Sequence, residues 1–147
     1  FEETPAVDLK RLFDVNLGGA MRLTRAVLPA LRSTPDSRIV IVSSVGGLSA
    51  LPGLAAYCGS KWALEGWAES LAHELFSQGV GVSVVEPASV QTGLWEAGTI
   101  HGDPDGPYAS VIRALEDGDD RAWARALDPH SVSATMVAIV EGRRGLR

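Results

Sequence analysis

Cysteine occurs once in this chain, at Cys58, so no internal disulfide can form, and the three histidines are too scattered for metal-ligand spacing. Both absences fit a reducing, cytoplasmic setting. No apolar run reaches the ~18 residues that cross a bilayer, and no secretory leader is visible, so no membrane partner is expected. A clustered basic face is missing too. The net charge is -5 with a pI near 5.1, which argues against nucleic acid as a partner, and the closing "EGRRGLR" reads as a solvated helix end. Lysine is scarcest of all: of 13 basic residues, only Lys10 and Lys61 are lysine. What remains is ordinary for one globular domain, with 46% hydrophobic and 21% charged residues among 147.

The elements alternate. Thr4 is placed to cap a helix with Pro5 at its first position, and apolar residues then recur at helical spacing through Leu9, Leu12, Phe13, Leu17, Leu23, Val27, Leu28 and Leu31. "RIVIVSS" (38–44) is a β-branched run, as in a parallel strand buried on both faces. A helix over about 56–78 carries Leu64, Trp67, Leu71 and Leu75 on one stripe, and "GVSVVEP" (81–87) is a second buried strand. Strand, helix and strand of these lengths predict a parallel βαβ unit. A Gly-, Asp- and Pro-rich loop over 93–106, a weak helix over 107–116, an acidic break "EDGDD" and a last helix from about Asp128 to Glu141 follow. The chain opens on Phe1 rather than Met and is already at a helix start by Pro5, so it is expected to be part of a longer fold.

Ligands of open parallel sheets bind beyond the carboxyl ends of the strands. Here those ends carry Ser43 and Ser44 on one strand and Pro87 to Thr92 on the other. The helix after Ser44 brings Tyr57 and Lys61 to the same edge, four residues apart and so on one face. A cation beside a phenol favours the phenolate, which suits the pair to general acid–base work on a carbonyl or alcohol. Ser44 is placed to donate a hydrogen bond to a developing alkoxide. It has a plainer reading as a strand-end serine bonded to local backbone. It is no hydrolase elbow, because Val42 stands where Gly-x-Ser-x-Gly needs glycine.

Asn16, Ser44, Tyr57 and Lys61 in this order, with Tyr57 thirteen places after Ser44, resemble the active-site tetrad of the short-chain dehydrogenase/reductase family. "FDVNLGGAMRLTRAVLPALR", "RIVIVSSVGGLSALPGLAAYCGSKWAL" and "VEPASVQTGLW" resemble its Asn-bearing helix, its serine strand with tyrosine helix, and the segment that meets the nicotinamide. The resemblance covers residues 1 to about 95. It implies an α/β fold of Rossmann type, a doubly wound parallel sheet, present here as a partial domain. It also implies NAD or NADP as cofactor, a small-molecule alcohol or ketone as substrate, and a homo-oligomer when complete.

Carried onto this chain, the resemblance makes Tyr57 the general acid/base, while Lys61 lowers its pKa and holds the nicotinamide ribose. Ser44 polarises the carbonyl, and Asn16 holds a water linking Lys61 to solvent. Pro87, Ala88, Val90 and Thr92 line the nicotinamide, with the Val90 amide facing its carboxamide and Thr92 capping it. Three features depart from the family pattern. The Gly-rich dinucleotide loop is absent, since "VGGLSALPG" follows the wrong strand and opens no helix. Ala88 stands where glycine is usual, which would strain a positive φ. Cys58 reads as a packed small side chain. Gly18 and Gly19 are poor helix-interior residues, present either for close packing or for function. Trp95, Ile100 and Tyr108 either form a lid over a bulky apolar substrate or simply pin a loop. The competing reading of the whole chain is a non-catalytic remnant that serves as a fold half or assembly module. An upstream Thr-Gly-x-x-x-Gly-x-Gly would favour the enzyme, and a start codon at residue 1 the remnant.

Overall fold

A computed structural model describes residues 1–94, 98, 100–123 and 125–142, with side chains omitted over 117–123. Two parallel strands, β1 (Arg38–Val42) and β2 (Gly81–Val85), pair in register from Arg38 opposite Gly81 to Val42 opposite Val85. Between them runs α3 (Ala55–Leu75), as the β-branched runs and the intervening apolar stripe predict. Leu64, Ala68, Leu71 and Leu75 of α3 are buried against Ile41 and Val82, with Val80 just before β2. Ile39 and Val84 join from the same sheet face. Ser83 is buried on the other face, and α5 (Pro129–Val140) packs against β1.

The first helix departs from its expected form. Pro5 is the N-cap rather than the first helical residue, and no side chain caps the end; Asp8 and Leu9 instead donate to the Pro5 carbonyl. α1 (Ala6–Phe13) and α2 (Gly19–Arg32) are separated by one π turn, Asp14–Gly18, where periodicity predicted unbroken α-helix. Such turns often mark functional positions, and this one contains Asn16. Gly18 answers to packing: a Cβ there would lie 2.8 Å from Arg22 Nη1 and 3.0 Å from Asp14 Oδ1, the atoms of the salt bridge over this turn. Phe13 closes on Gly59, whose added Cβ would stand 3.7 Å from the ring edge, so α1 lies against the first turns of α3.

The expected break at "EDGDD" is a correction. α4 runs unbroken over Ala109–Trp123, because one glycine costs a helix only about 1 kcal/mol. Its first turns are already fixed by packing, with Leu115 and Val111 against Gly53 and Ile112 against Gly102. Asp128 caps α5 by accepting from the His130 amide. Among the described residues no helix is long and apolar enough to cross a membrane.

Candidate active site

Pairing continues past the strands and joins the two ends that carry the candidate residues. The Ser43 amide donates to Val85 O at 2.8 Å and the Val45 amide to Pro87 O at 3.1 Å. Ser44 lies between these bonds, so its own backbone faces away from β2, and its side chain lies on the opposite face from Ser43. Its Oγ accepts from the Gly46 amide at 3.1 Å and its carbonyl from the Gly47 amide at 2.8 Å, which closes a short 3-10 turn. The plainer reading of Ser44 is therefore met, but it occupies only the acceptor of the hydroxyl. The O–H donor has no partner among the described residues.

Tyr57 sits in the first turn of α3, half-buried. A Cβ built on Gly46 would lie 3.1 Å from Tyr57 Cε1 and 3.5 Å from both Ser44 Oγ and Cys58 Sγ. The phenol and the serine thus converge on one residue, which has no side chain to separate them. The Lys61 ammonium stands 5.9 Å from the Tyr57 ring centroid and donates to Val42 O at 3.2 Å. Cys58 is buried and packed, as expected.

Burial pushes the Lys61 pKa below its ordinary value, and the charge of Glu65, one turn further along, partly offsets this. Between the depressed folded value and the unfolded one near 10.5, the unfolded chain holds more protons. Stability therefore rises with pH across that window and is lowest below it. Urea midpoints of the full-length protein at stepped alkaline pH are expected to show this rise in the wild type and a flatter profile in Lys61→Met. An identical slope in the variant would assign the rise to another group.

Asn16 does not reach Lys61 through its side chain. Its Nδ2 donates to Ser60 Oγ at 3.0 Å, and Ser60 donates in turn to the Tyr57 carbonyl at 2.7 Å. Ser60, Gly46 and Gly47 escaped the sequence reading. Ser60 had a signal: it lies four residues before Leu64, at the start of the stripe Leu64, Ala68, Leu71 and Leu75, so a polar side chain there needs a partner. Gly47 makes room for two buried atoms that have no partner among the described residues, Ser43 Oγ and Glu65 Oε1, at 2.8 and 3.2 Å from a Cβ added there.

The segment after β2 can take a nicotinamide. Ala88 is not strained, since Asp36 is the one non-glycine residue with positive φ among those described. Val90 bridges to Leu127 through its neighbours: Leu127 N donates to Ser89 O, and Gln91 N to Leu127 O. The Val90 amide consequently points away from Leu127 and has no partner among the described residues, as a donor to a carboxamide requires. Thr92 is exposed beside it, its amide donating to Val90 O at 2.8 Å. These groups and Lys61 fit the nicotinamide half of a dinucleotide. "VGGLSALPG" does lead into a helix, α3, contrary to expectation, but its glycines are closed by side chains, Tyr57 at Gly46, Ser43 and Glu65 at Gly47 and Leu115 at Gly53, so they offer no open pyrophosphate cradle. Of the lid residues, Trp95 lies outside the described residues and Ile100 is exposed. Tyr108 is an anchor, its hydroxyl donating to Glu2 Oε2 at 2.7 Å, with His101 Nε2 also 3.2 Å from Asp8 Oδ2.

The short chain dehydrogenase family profile matches residues 1–100. Estradiol 17-beta-dehydrogenase 1 of Rattus norvegicus is 36% identical over 129 residues, which cover 83% of this chain and 37% of the relative. A short-chain dehydrogenase structure from Streptomyces avermitilis superposes with a TM-score of 0.80 at 34% identity, covering 100% of this chain and 54% of that one. A short chain dehydrogenase/reductase from Burkholderia phymatum, determined in complex with NAD, gives 0.76 at 31% identity, covering 99% and 55%. The chain thus spans roughly a third of its curated relatives and about half of the solved structures. With this match and with the partial Rossmann-type α/β architecture, the chain belongs to the short chain dehydrogenase family.

Proposed function

We propose that the whole protein is an oxidoreductase that uses NAD or NADP to interconvert a secondary alcohol and a ketone, with its proton chemistry in these residues. The observation that carries this reading is the convergence of the Tyr57 ring and Ser44 Oγ on Gly46, at the end of β1 and beside the Lys61 ammonium. The bound nicotinamide supplies or accepts the hydride at the carbonyl carbon. In the reducing direction Tyr57 gives its hydroxyl proton to the carbonyl oxygen, and the free Ser44 O–H donates to that oxygen as charge builds on it. Lys61 places positive charge beside the phenol and holds the ribose hydroxyls. Pro87, Ala88, Val90 and Thr92 would line a bound nicotinamide, with the Val90 amide free to donate to its carboxamide. Asn16 keeps Oδ1 available for the water of a proton relay.

An apolar substrate of some bulk fits best. The rat relative is named for estradiol, and Leu94 and Ile100, both more than half exposed, lie beyond β2 where a substrate would approach. The test is optical: full-length protein is mixed with NADH or NADPH and ketones graded in size, and cofactor oxidation is followed. Turnover that favours bulky apolar ketones is expected. No turnover of any ketone with either cofactor would overturn the reading.

Gly46 offers a sharper check of the geometry. A Cβ there already meets Tyr57 Cε1 at 3.1 Å, and the further methyls of valine would drive the ring from Ser44. Gly46→Val is expected to lower kcat about 10- to 100-fold, the scale of a 1 Å misplacement, and Gly46→Ala less. Steady-state kinetics beside thermal melts would show it; a valine variant that is folded and fully active would mean the ring and the serine need not meet.

A further inference from the structure

Tyr57 stands in the first turn of α3, and the N-cap of that helix, Leu54, has no side-chain capping bond. A helix start without a cap is short of partners for its first amides, so the most important side chain of the site is on a turn that local sequence alone holds weakly. What holds it is Ser60, 0% exposed, whose hydroxyl both gives and receives. It donates to the Tyr57 carbonyl at 2.7 Å and accepts from Asn16 Nδ2 at 3.0 Å. Among the side-chain-to-side-chain hydrogen bonds of the described residues, Asn16 to Ser60 is the one not at the exposed surface. It spans 44 residues of sequence.

The π turn explains how Asn16 comes to be there. A π turn takes one residue more than an α turn, which advances the side-chain register by about 100°. The inserted residue falls within Asp14–Gly18, the turn that carries Asn16, where α1 already touches α3 through Phe13 and Gly59.

We propose that Asn16 and Ser60 are a positioning couple for Tyr57: the amide of Asn16 orients the Ser60 hydroxyl, which pins the Tyr57 carbonyl and with it the angle at which the phenol meets Ser44. The proposal rests on the reading of Tyr57 as the acid/base, and it gives Asn16 Nδ2 a task separate from any water held at Oδ1. Neither residue touches the substrate through this contact.

Full-length Asn16→Ala, Ser60→Ala, the double variant and Tyr57→Phe separate the possibilities. Each single alanine variant is expected to lower kcat about tenfold with cofactor KM within about twofold. The double variant is expected to be no slower than the slower single, because both changes break one chain of bonds. Hydrogen exchange gives a readout without activity: the Lys61 amide, whose helical acceptor is the Tyr57 carbonyl, should exchange about tenfold faster in each single variant and no faster in the double. Wild-type kcat in both single variants, or losses that multiply in the double, would overturn the couple. If Tyr57→Phe is inactive while Ser60→Ala is normal, only the couple falls. If Tyr57→Phe stays active, the acid/base reading falls and exchange alone decides whether the couple exists. Should Ser60→Ala not fold, hydrogen exchange in Asn16→Ala still decides: that variant leaves the Ser60–Tyr57 bond in place, and loss of a relay water at Oδ1 would lower kcat without speeding exchange of the Lys61 amide, so wild-type exchange there would overturn the couple.

Discussion

Tyr57→Phe is expected to remove at least ~10²-fold of the turnover of the full-length protein, about 2.7 kcal/mol of transition-state stabilisation, while cofactor affinity stays within a few-fold. The substitution deletes one oxygen. Phenylalanine keeps the ring beside Gly46 and under the Lys61 ammonium, with the 5.9 Å separation from the ring centroid unchanged. The Ser60 bond is to the backbone of residue 57 and persists as well. Lys61 and the 87–92 segment, which would hold the nicotinamide, are untouched, so the loss belongs to kcat and not to cofactor binding. Steady-state kinetics with a fluorescence titration of cofactor separate the two. Turnover near wild type in the Phe variant would show that another group moves the proton.

What could be read from the sequence was whatever repeats at short range. The β-branched runs at 38–44 and 81–87 announced β1 and β2, and a stripe of Leu64, Trp67, Leu71 and Leu75 announced the buried side of α3. The four-residue spacing put Tyr57 and Lys61 on one face because a helix can do nothing else with it. Features that depend on partners distant in sequence stayed hidden. Nothing local requires a π turn at Asp14–Gly18; it becomes useful only once Ser60, far along the chain, supplies an acceptor. Gly46 stayed unmarked, because its closeness to Tyr57 and Ser44 is a fact of packing. The acidic stretch at 116–120 misled in the other direction, since its loop-like composition was outweighed by the packing of Val111, Ile112 and Leu115 in the same helix.

Residues 1–147 on their own are expected to associate and to bind neither NADH nor NADPH usefully. The accessible surface is 9712 Å² for 15.5 kDa. A compact monomer of that mass exposes roughly 7,200 Å², so about 2,500 Å² is in excess, the area of a large permanent interface. Its composition points the same way, with Leu23 67%, Trp62 54% and Val137 54% exposed on three different helices. The sheet adds a second source of association. β1 pairs with β2 alone among the described strands, through the Ser37 carbonyl and Ser43 amide. By alternation the backbone of Val40 and Val42 faces the opposite edge, where Lys61 engages the Val42 carbonyl. An edge of β-branched residues open to pairing recruits another strand. Cofactor binding should fail for a different reason, since the residues proposed for the nicotinamide have no open glycine turn for the pyrophosphate beside them among the described residues. Sedimentation velocity across a concentration series should show growing species, and calorimetric titration of either cofactor should give no saturable heat. A monodisperse monomer binding NADH or NADPH at micromolar concentration would show that the excess surface is harmless and that the dinucleotide needs nothing beyond these residues.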